Sequence, residues 1–207
     1  QKENRNLFGY NGSYQRENIL GHIRLQTEIG MQFRMDLSDD NELSHTADKT
    51  KIIERLALGD IREANAGVYI NETFKFSDRV SINAGLRYDH FRFAYKDQLT
   101  NDTFQAVSDQ VISPKLNTYV QVSNNVQVFG NIGYGFHSND SRVVIKQVGT
   151  ETLPRALGID VGTLWKPTDR LILTGTLWHL DLDQEFVYVG DAAVVEPSGR
   201  TRRMGLE

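Results

Sequence analysis

From His22 to Leu37 the chain alternates with hardly a fault. Ile23, Leu25, Thr27, Ile29, Met31, Phe33, Met35 and Leu37 form one set, and His22, Arg24, Gln26, Glu28, Gly30, Gln32, Arg34 and Asp36 form the other. A period of two puts successive side chains on opposite faces of a strand, and no helix reproduces it. The stretch from Val80 to Tyr88 repeats the device, with Val80, Ile82, Ala84, Leu86 and Tyr88 set against Ser81, Asn83, Gly85, Arg87 and Asp89. Each strand therefore lies between two different surroundings, and the question is which two.

The same pattern recurs along the chain. Strands are expected at Leu7–Gln15, His22–Leu37, Ile61–Phe76, Val80 onward, Ile112–Val122, Val126–Phe136 and Arg155–Lys166. Another starts at Arg170 and runs, with a kink, to Val189; a ninth begins near Ala193. Short turns are expected at Arg16-Glu17-Asn18, Ser77-Asp78-Arg79, Ser123-Asn124-Asn125 and Pro167-Thr168-Asp169. At Asn124-Asn125 asparagine would supply the positive φ that hairpins use. Between these turns fall long polar loops at Ser38–Arg55, Lys96–Gln110 and His137–Thr152. The alternation slips after Tyr88, where the apolar positions become Phe91, Phe93 and Tyr95, so a bulge or the end of the apolar belt is expected near Asp89–His90.

Composition narrows the function classes. Lys plus Arg number 23 against 27 Asp plus Glu, so no basic field invites nucleic acid. With no Cys there is no thiolate metal site, disulfide framework or Cys nucleophile. Hydrophobic residues are 39% of the chain, and no apolar run reaches the roughly 18 residues of a membrane helix. A membrane barrel hides its apolar surface in every second residue, so these figures leave it open. Strands long enough to cross a bilayer, aromatics near strand ends, and short turns alternating with long loops make lipid and water the expected pair of solvents.

Several segments resemble TonB-dependent outer-membrane receptors. They are Gly85-Leu86-Arg87-Tyr88-Asp89, Ile112-Ser113-Pro114-Lys115-Leu116, Gly130–Ser138, Leu153-Pro154-Arg155-Ala156, Trp178–Glu185 and Glu196–Arg203, in the order that family has them. The resemblance covers about Gly67 to the C-terminus, and the first 60 residues agree by pattern. It implies an all-β fold, an antiparallel transmembrane β-barrel meander of about nine long strands, with residues 1–207 forming part of one barrel domain. Such receptors resemble one another in a 22-stranded barrel with a plugged lumen. No N-terminal plug and no aromatic-terminated last strand are visible, and nine is odd, so a segment of a larger receptor is expected. The resemblance further implies a bacterial outer-membrane location and import of a scarce, bulky nutrient such as a ferric siderophore. Its partners would be that ligand, the receptor's own plug, TonB acting through the plug, and outer-membrane lipid. No cofactor, enzyme activity or nucleic acid is expected. Rival readings are a passive pore or structural barrel, and a soluble β-sandwich module.

The alternation nominates Arg24, Glu28, Arg34, Arg87, Asp89 and Lys115 as lumen-facing. Pairing between strands and contact with a plug or an anionic ligand are the two roles open to them. Phe91, Phe93, Tyr95, Phe136 and His137 sit at the long-loop end, where ligand capture and an interfacial aromatic girdle are both open. Gly130, Gly133 and Gly135 fall inside a strand, where they permit close packing; a phosphate cradle needs glycines between strand and helix. Asp36, Asp39, Asp40, Asn41 and Glu42 have calcium-ligand side chains but not the order of a calcium loop, and are read as a solvated loop. His137-Ser138-Asn139-Asp140 offers adjacency without a nucleophile–base geometry.

Overall fold

A computed structural model describes residues 2–48, 51–100, 102–146, 151–189 and 194–207. Its main feature is a nine-stranded antiparallel sheet made of β1 (Lys2–Leu20), β2 (Ile23–Ala47), β3 (Lys51–Lys75), β4 (Val80–Asp97), β5 (Gln105–Ser123), β6 (Val126–Phe136), β7 (Arg155–Thr168), β8 (Leu171–Leu182) and β11 (Thr201–Leu206). Sequence neighbours pair throughout, apart from the excursion between β8 and β11. There β9 (Glu185–Val189) and β10 (Val194–Ser198) form their own hairpin. A short helix, α1 (Ser141–Lys146), lies between β6 and β7. The sheet is an open meander with β1 and β11 at its edges.

Register divides the side chains into two faces. Opposite residues in an antiparallel pair share a face, so Arg34↔Asn65↔Phe91 and Gln32↔Gly67↔Asp89 carry one face across β2, β3 and β4. Met31↔Val68↔Tyr88 and Ile29↔Ile70↔Leu86 carry the other. On that second face Met31, Val68, Ile70, Leu86, Tyr88, Ile112, Ile132, Val161 and Leu177 all remain exposed. A continuous sheet of exposed large apolar groups is what a water-facing surface avoids. The apolar belt runs from Phe74 to Ala64 on β3 and from Val80 to Tyr88 on β4; above it the outward side chains become His90 and Arg92.

Several expected boundaries move. The first turn is Gly21-His22, not Arg16-Glu17-Asn18, because Leu20 pairs with Ile23. Gly21 stands at φ 63°, which a two-residue hairpin turn needs and a glycine adopts without a Cβ clash. Asn124 and Asn125 do form a turn, but neither is at positive φ; Asp40 and Asp48 are the described non-glycine residues that are. The β7–β8 turn is Asp169-Arg170, since β7 continues through Pro167 and Thr168. The kink expected beyond β8 is a break at Asp183-Gln184, and Ala193 lies outside the described residues.

The polar loops are the larger correction. Most of Ser38–Arg55 is strand: β2 and β3 stay paired to Ala47↔Lys51, with register shifts between Ser38 and Asn41, Leu43 and Ser44, and His45 and Thr46. Likewise β4 and β5 pair to Tyr95↔Gln105, so that of the expected Lys96–Gln110 loop only residues 98–100 and 102–104 are non-strand among the described residues. Polar residues here mark strands that have left the apolar belt, not strands that have ended. Pro114 is accommodated inside β5 for a local reason. The β5–β6 ladder ends at Lys115↔Gly133, so the missing N–H falls next to the point where pairing stops.

No bulge interrupts β4. Its pairing runs unbroken from Gly59↔Asp97 to Lys75↔Ser81 on one side and from Val80↔Val120 to Tyr95↔Gln105 on the other. Phe91, Phe93 and Tyr95 therefore sit on the polar face, in line with Arg87 and Asp89. They are covered there by the described residues of the β6–β7 connector, 137–146 and 151–154. Phe91 and Phe93 stack at 5.6 Å, Phe136 meets Phe91 edge-on at 5.5 Å, and Val111 and Leu153 complete the cluster. The phase slip is thus a change of which face is dry, with the backbone register intact.

Candidate functional site

Above the belt, the polar face and the connector enclose the site. The connector is tied at its base by three bonds. His137 N–H donates to Pro154 O, Asn139 N–H to Thr152 O, both at 3.1 Å, and Asn139 Nδ2 to Glu151 O at 3.3 Å. Val143 and Val144 donate to Asp140 O at 3.0 Å, which starts α1, and Asp140 accepts Arg142's guanidinium at 2.6 Å. The helix is too short to stand on propensity alone, so its place comes from packing. Val143 is buried, and Ser141 Oγ reaches Glu63 at 3.5 Å. Glu63 lies above the belt, flanked outward by Arg62 and Arg92. Burial first, then the Asp36 carboxylate, raises its carboxyl above the ordinary glutamate value.

Below the connector the polar face is a trough of paired charges. Arg24 meets Asp78 at 3.1 Å at the short-turn end. Glu28 accepts the Tyr69 hydroxyl at 2.9 Å and the Asn71 amide at 3.4 Å. Arg87 forks onto Asp89 with two 2.6 Å bonds; Asp89 is 0% exposed and also accepts from Asn65 at 3.4 Å. Asp36 accepts from both Arg34 and Arg5. Lys115 lies across Gly85, whose absent side chain makes the room, and has no ion pair or hydrogen bond among the described residues. Gln32, Tyr69, Asn71, Arg87, Ser113 and Lys115 line a cavity of about 340 Å³ in this trough.

The nominated residues thus separate into three groups. Glu28, Arg34, Arg87, Asp89 and Lys115 share the polar face, with Arg24 at its lower rim. Phe91 and Phe93, at 7% and 0% exposure, pack with Phe136 under the connector, and Tyr95, at 3%, is buried on the same face; Phe91 also borders a cavity lined by Arg5, Arg34 and Asn139. His137 is exposed at the connector's start. The carboxylates once resembling calcium ligands are individually engaged: Asp36 with Arg5 and Arg34, Asp39 with Arg62, Asp40 with Gln98, and Glu42 with Ser44 and Arg55. Gly130, Gly133 and Gly135 lie within β6, with the short α1 beginning only at Ser141. Sequence reading missed Arg5, Glu63, Tyr69, Asn71 and Ser141. The first four carry the polar phase of their strands; Ser141 has no periodic signal at all.

The sequence matches the family described as TonB dependent receptor-like, beta-barrel, over residues 1–207. The chain belongs to that family. Its members are transporters and receptors of the bacterial outer membrane, not enzymes. No curated protein matches the sequence. Among solved structures, the unliganded ferric citrate transporter FecA is similar at TM-score 0.81 and 17% identity, covering 99% of this chain and 31% of its own. The siderophore receptor PiuA from Acinetobacter baumannii aligns at 0.73 and 12%, covering 99% and 35%. The ferric-catecholate import receptor Fiu from E. coli K12, closed form, aligns at 0.72 and 15%, covering 98% and 34%. At such identities the likeness concerns fold. The chain spans about a third of the length of these structures.

Proposed function

We propose that this chain is the part of a TonB-dependent outer-membrane receptor that forms one wall of its barrel, and that the receptor imports a scarce, bulky nutrient of the ferric-siderophore class. The observation that carries the reading is the division of one sheet into a continuous exposed apolar face and a charge-lined polar face. A barrel in lipid needs the first outside and the second around a water-filled or plugged lumen. The polar face then works by holding a plug and lining the path. Arg24, Glu28, Arg34, Arg87, Asp89 and Lys115 are its lumen residues, and Lys115 has a charge free for a partner. Energy arrives through TonB acting on the plug, and no covalent step falls to the wall. Ferric-siderophore cargo is supported by the siderophore receptor PiuA and the ferric-catecholate import receptor Fiu, which share the fold.

The test is uptake of a radiolabelled ferric siderophore by cells carrying or lacking the intact gene, with and without a protonophore. Uptake that requires both the gene and the proton-motive force is the expected result. Gene-dependent uptake that survives the protonophore would replace this reading with a passive pore.

A further inference from the structure

One carboxylate interrupts the apolar belt. Glu72 of β3 pairs with Thr27 of β2 on one side and Ala84 of β4 on the other, which sets it on the outward face. Its same-face neighbours toward the long-loop end are Ile29, Ile70 and Leu86, and toward the short turn Leu25, Phe74 and Ile82. None of these side chains carries a hydrogen-bond donor. Thr27 carries one, yet Glu72 Oε2 is buried without a hydrogen-bond partner. Such an oxygen is costly to bury unless a donor reaches it.

The same row holds the opposite charge. Arg16 of β1 also pairs with Thr27, so the order across the outward face is Arg16, Thr27, Glu72. Arg16 is exposed and makes no ion pair or hydrogen bond among the described residues. Two strand spacings, about 10 Å, part its column from that of Glu72. Depth adds a third observation. Glu72 stands five positions from the turn at Ser77. At about 3.3 Å per residue and a tilt near 45° that is roughly 12 Å, the border between headgroups and acyl chains when the turn itself is in water. Phe74 and Phe76 stack at 6.1 Å between Glu72 and the turn, aromatics of the kind that gather at this border.

We propose that Arg16, Thr27 and Glu72 bind the headgroup of a zwitterionic phospholipid with a primary ammonium, of the phosphatidylethanolamine class, in the leaflet on the short-turn side. The Arg16 guanidinium takes the phosphate in a charge-assisted fork, and the ammonium donates to the Glu72 carboxylate. Only two carbons and an oxygen link phosphorus to nitrogen in such a headgroup, so both charged groups fit between the two columns. One cation and one anion on the wall match one anion and one cation on the lipid. A quaternary ammonium has no N–H to give, and a headgroup without nitrogen brings no cation to Glu72. Ile29, Ile70 and Leu86, at 52%, 41% and 50% exposure, leave an apolar track above the patch for the acyl chains. The site rests on the proposed function only in setting the outward face in lipid; it depends on neither cargo nor uptake.

The test uses the intact receptor, stripped of lipid in detergent and titrated with phosphatidylethanolamine, phosphatidylcholine or phosphatidylglycerol of matched acyl chains. Bound lipid is counted by native mass spectrometry. Phosphatidylethanolamine is expected to bind saturably, about tenfold or more tighter than phosphatidylcholine. Glu72→Gln is expected to erase that preference, and Arg16→Gln to weaken phosphatidylethanolamine about tenfold, as for loss of a charge-assisted bond. Asp169→Asn, which alters an exposed acid at the same end of the sheet, is expected to change neither. Glu72→Gln is nearly isosteric and takes a charge out of the belt, so it is the variant least exposed to misfolding, and heat-dependent gel migration checks its assembly. Equal binding of phosphatidylethanolamine and phosphatidylcholine, a preference that survives Glu72→Gln, unchanged binding in Arg16→Gln, or phosphatidylglycerol binding as tightly would each overturn the site. So would a two-copy assembly that Glu72→Gln dissolves, which would assign the patch to a second copy of the receptor.

Discussion

Strand β4 passes through two regions that share a backbone and differ in their surroundings. From Val80 to Tyr88 its polar-face residues are Ser81, Asn83, Gly85 and Arg87, and its outward residues are apolar. From Asp89 to Tyr95 the polar-face residues are Asp89, Phe91, Phe93 and Tyr95, all buried, while His90 and Arg92 point outward. Pairing is unbroken through both halves. The chemical character of a face is therefore set by what covers it locally: an open trough below, a folded connector above. Apolar residues on the polar phase are the mark of a connector that packs back onto the wall.

The comparison is broken most severely at its driest point. Phe93→Ala, at 0% exposure between Phe91, Val111 and the connector, is expected to cost about 3–5 kcal/mol in thermal unfolding of the intact receptor. It should also free the connector's amides to exchange while those of β4 below Tyr88 stay protected. A loss spread evenly along β4 would mean the two regions are not separate.

The next largest effect tests the outward face. Met31→Arg places a cation in the apolar belt and is expected to cost about 2–4 kcal/mol. Its neighbour Gln32→Arg enters the polar trough and should be close to neutral. Membrane-fraction yield and heat-dependent migration on a denaturing gel report both, and equal damage from the two would reverse the assignment of faces. Smaller again is Gly21→Ala, about 1 kcal/mol, because alanine must hold the left-handed φ of 63° in the first turn. That loss is expected in the β1–β2 hairpin without change at the connector.

The gentlest probe is pH. Glu63 holds its proton more firmly with the connector docked than in water, so acidification favours docking, and the contribution is lost as pH rises through the raised value. Facing groups are Asp36, Arg34, Asp140 and Ser141; the carboxylates oppose ionisation and Arg34 favours it. Exchange at Val143 and Val144, corrected for intrinsic rate, is expected to slow on acidification, and Glu63→Gln should flatten the dependence. A dependence that survives Glu63→Gln would assign it to another group.

Much of this was legible in the alternation and some was not. Strand β6 has the bounds its residues suggest, because a turn closes one end and the connector begins at the other. The polar stretches after Leu37 and after Tyr95 read as loops because the period-two signal needs an apolar face to be heard. Past Leu37 and Tyr95 neither face keeps an apolar alternation, yet the strands stay paired. The polar-face candidates followed from phase, but their partners did not. Arg5 finds Asp36 across thirty-one positions, and only register joins them. Helix α1 left no trace, since six residues held by Val143 and Ser141 against β3 and β4 have no period of their own.

The unbroken ladder between β3 and β4 limits how this wall can change over time. With no bulge in the pairing to absorb a slip, gain or loss of a single residue within either strand would turn one half of it inside out, exchanging Leu86 for Arg87 across the sheet. Insertions there are tolerable only two at a time. Lineages of such walls should therefore differ mostly at the upper hairpins, where register shifts between β2 and β3 already accommodate odd steps.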